Sequence, residues 1–143
     1  MGANTSIAAM QAALAAEHAA VYGYGVTGAM LTGSAKSLAY ADWRAHEIAR
    51  DTLAAMIVKL GATPVAASAA YTLPFTVTGA SSARRLAVVL EEGVTRAYLG
   101  LVAVNDSTLR TFAARAMQAP ATRAAAWRGS TVAFPGMPST TGR

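Results

Sequence analysis

Cysteine is absent from the 143 residues, which excludes a disulfide framework, a thiolate metal site and a thiol nucleophile. That absence is compatible with a reducing compartment, and a cytoplasmic location is expected. Acidic residues are scarce, seven against twelve basic ones, and there are two histidines. No Asp, Glu or His occurs after Asp106, so the remaining chain can supply neither a carboxylate nor an imidazole. A Gly-rich phosphate loop, a nucleophile elbow and a Ser/His/Asp pattern are also missing. The start of the chain lacks the basic and compact apolar regions of a signal peptide. Residues 6–31 could span a bilayer by length, but Glu17 and His18 would then lie near its centre. A charge there costs about 2.5–3.5 kcal/mol, so no transmembrane segment is expected.

What is present favours helix. Alanine supplies 36 residues, and arginine outnumbers lysine ten to two; both alanine and arginine have high helix propensity. The net charge of +5 is uneven. Residues 1–83 carry four basic and four acidic groups, whereas residues 84–143 carry eight and three. The arginines are scattered singly and no nucleic-acid motif accompanies them, so a solvated basic face is expected and nucleic acid is not an expected partner.

Apolar periodicity and capping signals predict four helices, at about 5–31, 34–60, 82–104 and 106–127, within a single domain spanning 1–143. Asn4, Thr5 or Ser6 would open the first and Ser34 the second. Gly61 is the expected C-terminal glycine of the second. Ser81 or Ser82 would start the third, and Asn105 and Asp106 the fourth. Pro120 should kink or restart the last helix. Short links make helices one and two, and three and four, antiparallel hairpins. The crossover, 61–81, is longer. A helix of about 26 residues is about 39 Å long, and nineteen extended residues reach about 60 Å. The crossover can therefore run the length of a bundle, and Tyr71, Leu73, Pro74, Phe75 and Val77 suggest an ordered strap.

Each helix has an apolar seam interrupted by an ionisable group. Ile7, Met10, Leu14, Glu17, Val21 and Tyr24 follow steps of three and four, which places Glu17 inward and His18 one step off. Trp43, His46, Arg50, Leu53 and Ile57 do the same in helix two, with Asp42 and Glu47 at the margins. In helix three Glu91 shares a face with Val94, Tyr98 and Leu101. Its neighbour Glu92 has Arg96 four residues on, the arrangement of an exposed pair, so Glu91 is favoured as the inward one. Leu109, Phe112, Ala116, Arg123 and Trp127 align in helix four. The candidate core polar cluster is Glu17, His46, Glu47, Arg50, Glu91 and Arg123. Gly93, Ala97, Gly100 and Val104 form a small-residue stripe expected to pack closely.

The stretches LAAEHAAVYGYGVTGA, WRAHEIARDTLAAMI, GATPVAASAAYTLPFTV, LEEGVTRAY and AAAWRGSTVAFPG together resemble an uncharacterised bacterial ferritin-like family, a domain of unknown function. The resemblance covers almost the whole chain. It implies an all-α, ferritin-like four-helix bundle of two antiparallel hairpins joined by a long crossover, and it lends no activity. Ferritin-like dimetal sites take a glutamate from each of two helices and a Glu-x-x-His from each of the others. Glu17 and Glu91 match the first requirement. Helix two has no Glu-x-x-His, and helix four has no ligand, so a standard dinuclear centre cannot be assembled. The expectation is no cofactor, with Arg50 and Arg123 neutralising the buried glutamates. The alternative is one Fe, Mn or Zn ion on Glu17, His46 and Glu91.

Three functional readings follow. The first is a non-catalytic module that binds an unknown protein or small molecule, or self-associates as a homodimer. The second is an enzyme with an altered ferritin-like site, either a mononuclear metal-dependent oxidase or a metal-free acid–base catalyst. The third is an anionic-partner binder using Arg110, Arg115 and Arg128.

Overall fold

The computed structural model describes residues 2–138. Among them there are five helices and no strand: α1 (Gly2–Ala29), α2 (Gly33–Lys59), α3 (Ala80–Val102), α4 (Ser107–Ala116) and α5 (Gln118–Arg128). None is long and apolar enough to cross a membrane.

The ends show which local signals act. α1 begins at Gly2, ahead of the capping residues expected at 4–6. α2 is preceded by Thr32 in extended conformation with no side-chain cap, and Ser34 lies inside the helix. Gly33, at φ +58°, makes the tight reversal from α1, so backbone freedom takes the place of the expected serine cap. Gly61 follows α2 with φ +79°, the left-handed conformation that ends a helix. Before α3, the Ser82 hydroxyl accepts the N–H groups of Thr78 and Gly79, and Gly79 rather than a serine occupies the capping position. Asp106 caps α4 by accepting the Leu109 N–H at 2.9 Å.

The fourth predicted helix is two helices, because Pro120 restarts it. A proline ring clashes with the carbonyl four residues before it, here Ala116, and α4 ends at that residue. Pro120 is then the third residue of α5, in a first turn where a missing N–H costs little.

α1 packs against both α2 and α3, and α3 also packs against α4 and α5. Two apolar clusters divide the interior. One gathers Met10, Leu14, Leu53, Ile57, Tyr98, Leu101 and Leu109. The other gathers Tyr24, Leu31, Ala39, Ala83, Ala87 and Trp127. Early α1 therefore meets late α3, and late α1 meets early α3, so these helices are antiparallel. α3 starts at the opposite end of the bundle from the end of α2.

The segment between α2 and α3 spans that distance as an extended strap. Tyr71, Leu73, Phe75 and Val77 are half-buried while Thr72, Pro74, Thr76 and Thr78 are exposed, the alternation of an extended chain on a surface. α1 holds it through Gln11, which donates to the Thr63 carbonyl and accepts the Val65 N–H, both at 2.7 Å. His18 Nε2–H donates to the Val65 carbonyl at 3.0 Å. Arg85 of α3 lies over the Phe75 ring, 4.5 Å from its centroid.

The small-residue stripe of α3 packs through Ala97 and Val104, which meet the core, and not through its glycines. A Cβ at Gly93 or Gly100 would meet nothing within 4 Å. The close approach lies at Gly23 of α1, where a Cβ would come 2.5 Å from Cδ1 of Leu90.

Candidate functional site

Between the two apolar clusters, α1, α2, α3 and α5 each send polar side chains to one level of the bundle. Glu17, His46 and Glu91 are essentially inaccessible, at 1%, 0% and 0% exposure. The imidazole stands between the carboxylates. Its Nδ1–H donates to Glu17 Oε2 at 2.5 Å, and Nε2–H to Glu91 Oε1 at 3.0 Å. Both ring nitrogens donating to carboxylates describes an imidazolium. Burial pushes the His46 pKa down, but the hydrogen bonds to Glu17 and Glu91 and their charges outweigh it, bringing the value up to about 9.

Arg123 supplies the second cation, donating from Nε to Glu91 Oε1 at 2.9 Å. Burial alone would raise the Glu91 pKa, but His46 and Arg123 together hold it below the usual carboxylate value. Two carboxylates thus face one imidazolium and one guanidinium. An uncompensated buried charge would be prohibitive, and the fourfold grouping leaves none.

Two tyrosines cross between α1 and α3. Tyr24 of α1 donates to Glu91 at 2.6 Å, and Tyr98 of α3 donates to Glu17 Oε1 at 2.8 Å. Each tyrosine lies seven residues after the glutamate of its own helix, two turns along the same face. In antiparallel helices that spacing lets each reach the other helix's carboxylate. α2 and α5 complete the layer through Asp42, whose Oδ2 accepts the Trp127 indole N–H at 2.8 Å. Burial raises the Asp42 pKa, partly opposed by that indole bond. Glu91 Oε1 accepts three bonds, whereas its buried Oε2 has no protein partner.

Glu47 and Arg50 do not belong to this layer. Glu47 pairs with Arg44 at 2.7 Å, and Arg50 with Asp51 at 2.9 Å, both on the outer side of α2. The His46 cation already sits between the glutamates, so Arg50 has no buried anion to neutralise, and its guanidinium stays near water. Arg84 lies over the Trp127 ring, 5.7 Å from its centroid. Of the basic residues expected to face an anionic partner, Arg128 is paired with Glu92. Tyr24, Asp42, Tyr98 and Trp127 are the members absent from the sequence-derived cluster. The seven-residue Glu–Tyr spacing, repeated in α1 and α3, is the signal that points to the tyrosines.

Glu17, His46 and Glu91 are bonded to one another, and the two imidazole nitrogens diverge, each toward a different carboxylate. The Arg123 guanidinium also occupies the Glu91 oxygen that faces the imidazole. Among the described residues no three His, Asp or Glu side chains are disposed to hold an ion.

Fold and site together define an all-helical bundle centred on a buried layer of hydrogen-bonded polar and charged side chains. The chain belongs to the family described as domain of unknown function DUF4439, whose model matches residues 9–139. It is also similar to a solved structure, that of the conserved hypothetical protein rv2844 from Mycobacterium tuberculosis. The two are 33% identical, with a TM-score of 0.84, over 88% of this chain and 96% of the other. No curated protein matches.

Proposed function

We propose that this protein is a single-domain, metal-free, non-catalytic module of ferritin-like arrangement, working through its surface. The ferritin-like reading is supported by the antiparallel α1–α3 pair and the strap that runs the bundle between α2 and α3. The observation that carries the non-catalytic reading is His46, whose two nitrogens are both spent on buried carboxylates. An imidazolium so held can neither accept a proton nor turn toward a substrate. Its role is to let two glutamates remain inside.

The test is elemental analysis of purified protein. The expected result is no stoichiometric iron, manganese or zinc. One ion per chain, lost on Glu17→Ala, would overturn the reading.

Self-association as a homodimer is supported by the outer side of α2. There Tyr40, Ile48 and Val58 are each about three-fifths exposed, at 63%, 62% and 60%. Sedimentation should show a dimer that Ile48→Glu dissociates. A concentration-independent monomer sinks this part.

A further inference from the structure

A cavity lies away from the buried layer, between α3, α5 and the segment after α5. Its volume is about 520 Å³, within the range of small-molecule sites, roughly 300–1,000 Å³. The hollow on α4, by contrast, is walled by that single helix. Thr95 and Arg96 of α3, Ala121 and Ala125 of α5, and Phe134 and Met137 of the C-terminal segment line the site between the helices.

The C-terminal wall is built into place. Arg128 binds Glu92 across the helices and donates to the Ser130 carbonyl at 3.3 Å, tying down the start of the segment. Further on, Gly136 sits against α3 so closely that a Cβ would lie 3.2 Å from Thr95 Cγ2 and 3.3 Å from the Arg96 nitrogen. Its φ of +83° also suits glycine alone. A turn closed by the Met137 N–H on the Phe134 carbonyl, at 3.2 Å, holds those two side chains apart from the bundle. Phe134 is 75% exposed although it borders a cavity. A segment with no role beyond covering the helices would bury that ring, since burial of a phenylalanine side chain is favourable by roughly 1.5–3 kcal/mol.

The charges select the occupant. Glu92 and Arg128 neutralise each other, whereas Arg96 has no ion-pair partner among the described residues. The lining is otherwise apolar or threonine. We infer that the cavity between α3, α5 and residues 131–138 binds a small amphipathic anion. Its apolar body packs on Phe134 and Met137, and its single carboxylate or sulfonate lies against Arg96. This assignment rests on the reading of the protein as a binding module and gives that module its ligand class.

Fluorescence titration of the full chain tests it, with anilinonaphthalene sulfonate as probe and phenylnaphthylamine, the same ring system without the anion, as comparison. One saturable sulfonate site per chain is expected. Arg96→Gln should weaken it by about tenfold, the scale of one charge-assisted hydrogen bond, and leave phenylnaphthylamine binding unchanged. Ala125→Phe and, at an exposed position, Thr122→Phe should each abolish binding of both probes while thermal unfolding stays cooperative. Absence of one-to-one binding overturns the proposal. So does sulfonate binding indifferent to Arg96→Gln, or binding that survives both filling substitutions. Metal or turnover at the buried layer would defeat the module reading without altering this titration. A failed titration in metal-free, inactive protein defeats the cavity alone.

Discussion

Raising the pH should weaken this protein in a window set by one residue, His46. Its folded pKa is about 9 against an ordinary value of 6.5. Burial works against the charge, and the hydrogen bonds His46 donates to Glu17 and Glu91, with their charges, more than restore it. The folded state therefore holds a proton more tightly than the unfolded chain. Below pH 6.5 both states are protonated and the stabilisation is fully present. It declines as pH rises from 6.5 and is gone once pH passes about 9. A rise of this size corresponds to about 3 kcal/mol of folding free energy, a large share of the roughly 5–15 kcal/mol typical of a domain. Urea denaturation at pH 6, 8 and 10 should show most of that loss. His46→Gln leaves every other ionisable side chain in place, so the difference between the two proteins isolates the imidazole. If His46→Gln is too unstable to measure, the His46 ring resonances of the unaltered protein report the same pKa by NMR. A His46 that titrates below 6.5, or a stability curve flat from pH 6 to 10, would refute the imidazolium between two carboxylates.

The same layer predicts an order among substitutions. Tyr98→Phe should cost about 1–3 kcal/mol, because it leaves Glu17 Oε1 with no donor among the described residues. Tyr24→Phe should cost less, because Glu91 Oε1 keeps His46 and Arg123; the reverse order in urea unfolding would contradict the geometry. On the acid side, Glu91 is held below its ordinary pKa of 4.5. Its contribution is present above that value and lost as pH falls further, so Glu91→Gln should flatten the acid limb of a stability profile measured below pH 4.5. Gly25→Ala and Gly100→Ala each place a methyl in open space on an exposed helix face and should stabilise by up to about 1 kcal/mol. Gly136→Ala, at φ +83° against α3, should destabilise by about 1–2 kcal/mol; calorimetric melting temperatures moving in opposite directions check both.

The helices were readable because periodicity and punctuation agree along most of the chain. Gly61, Asp106 and Pro120 each act by a local rule that needs no partner: a left-handed backbone, a side-chain acceptor, a ring that cannot continue a helix. The misread ends fail for the complementary reason. Ser34 has cap chemistry, but Gly33 with φ +58° already turns the chain, and two devices cannot occupy one corner. The α3 glycines were misjudged because absence of a side chain permits close approach without causing it. Whether a neighbour arrives is decided by the opposite helix, and only Gly23 faces one.

The buried layer shows the same boundary between what one helix encodes and what two must settle. Periodicity placed Glu17, His46 and Glu91 on inward faces, since a face is a property of one helix. It could not say which cation meets which anion. Arg50 is a full turn beyond His46 on the same side of α2, yet its partner is Asp51. Arg123, from the last helix, crosses to Glu91 instead. That choice follows from a competition the one-dimensional pattern does not contain. The imidazolium between the two carboxylates supplies one cation, and Arg123 of α5 adds the second at the same Glu91 oxygen, Oε1. The tyrosines carry the one inter-helix message that was written locally. A glutamate and a tyrosine two turns apart, repeated in two antiparallel helices, must lie at each other's level when the glutamates do. The C-terminal cavity carries no such repeat, because its wall is irregular chain whose position depends on a single glycine seated against α3.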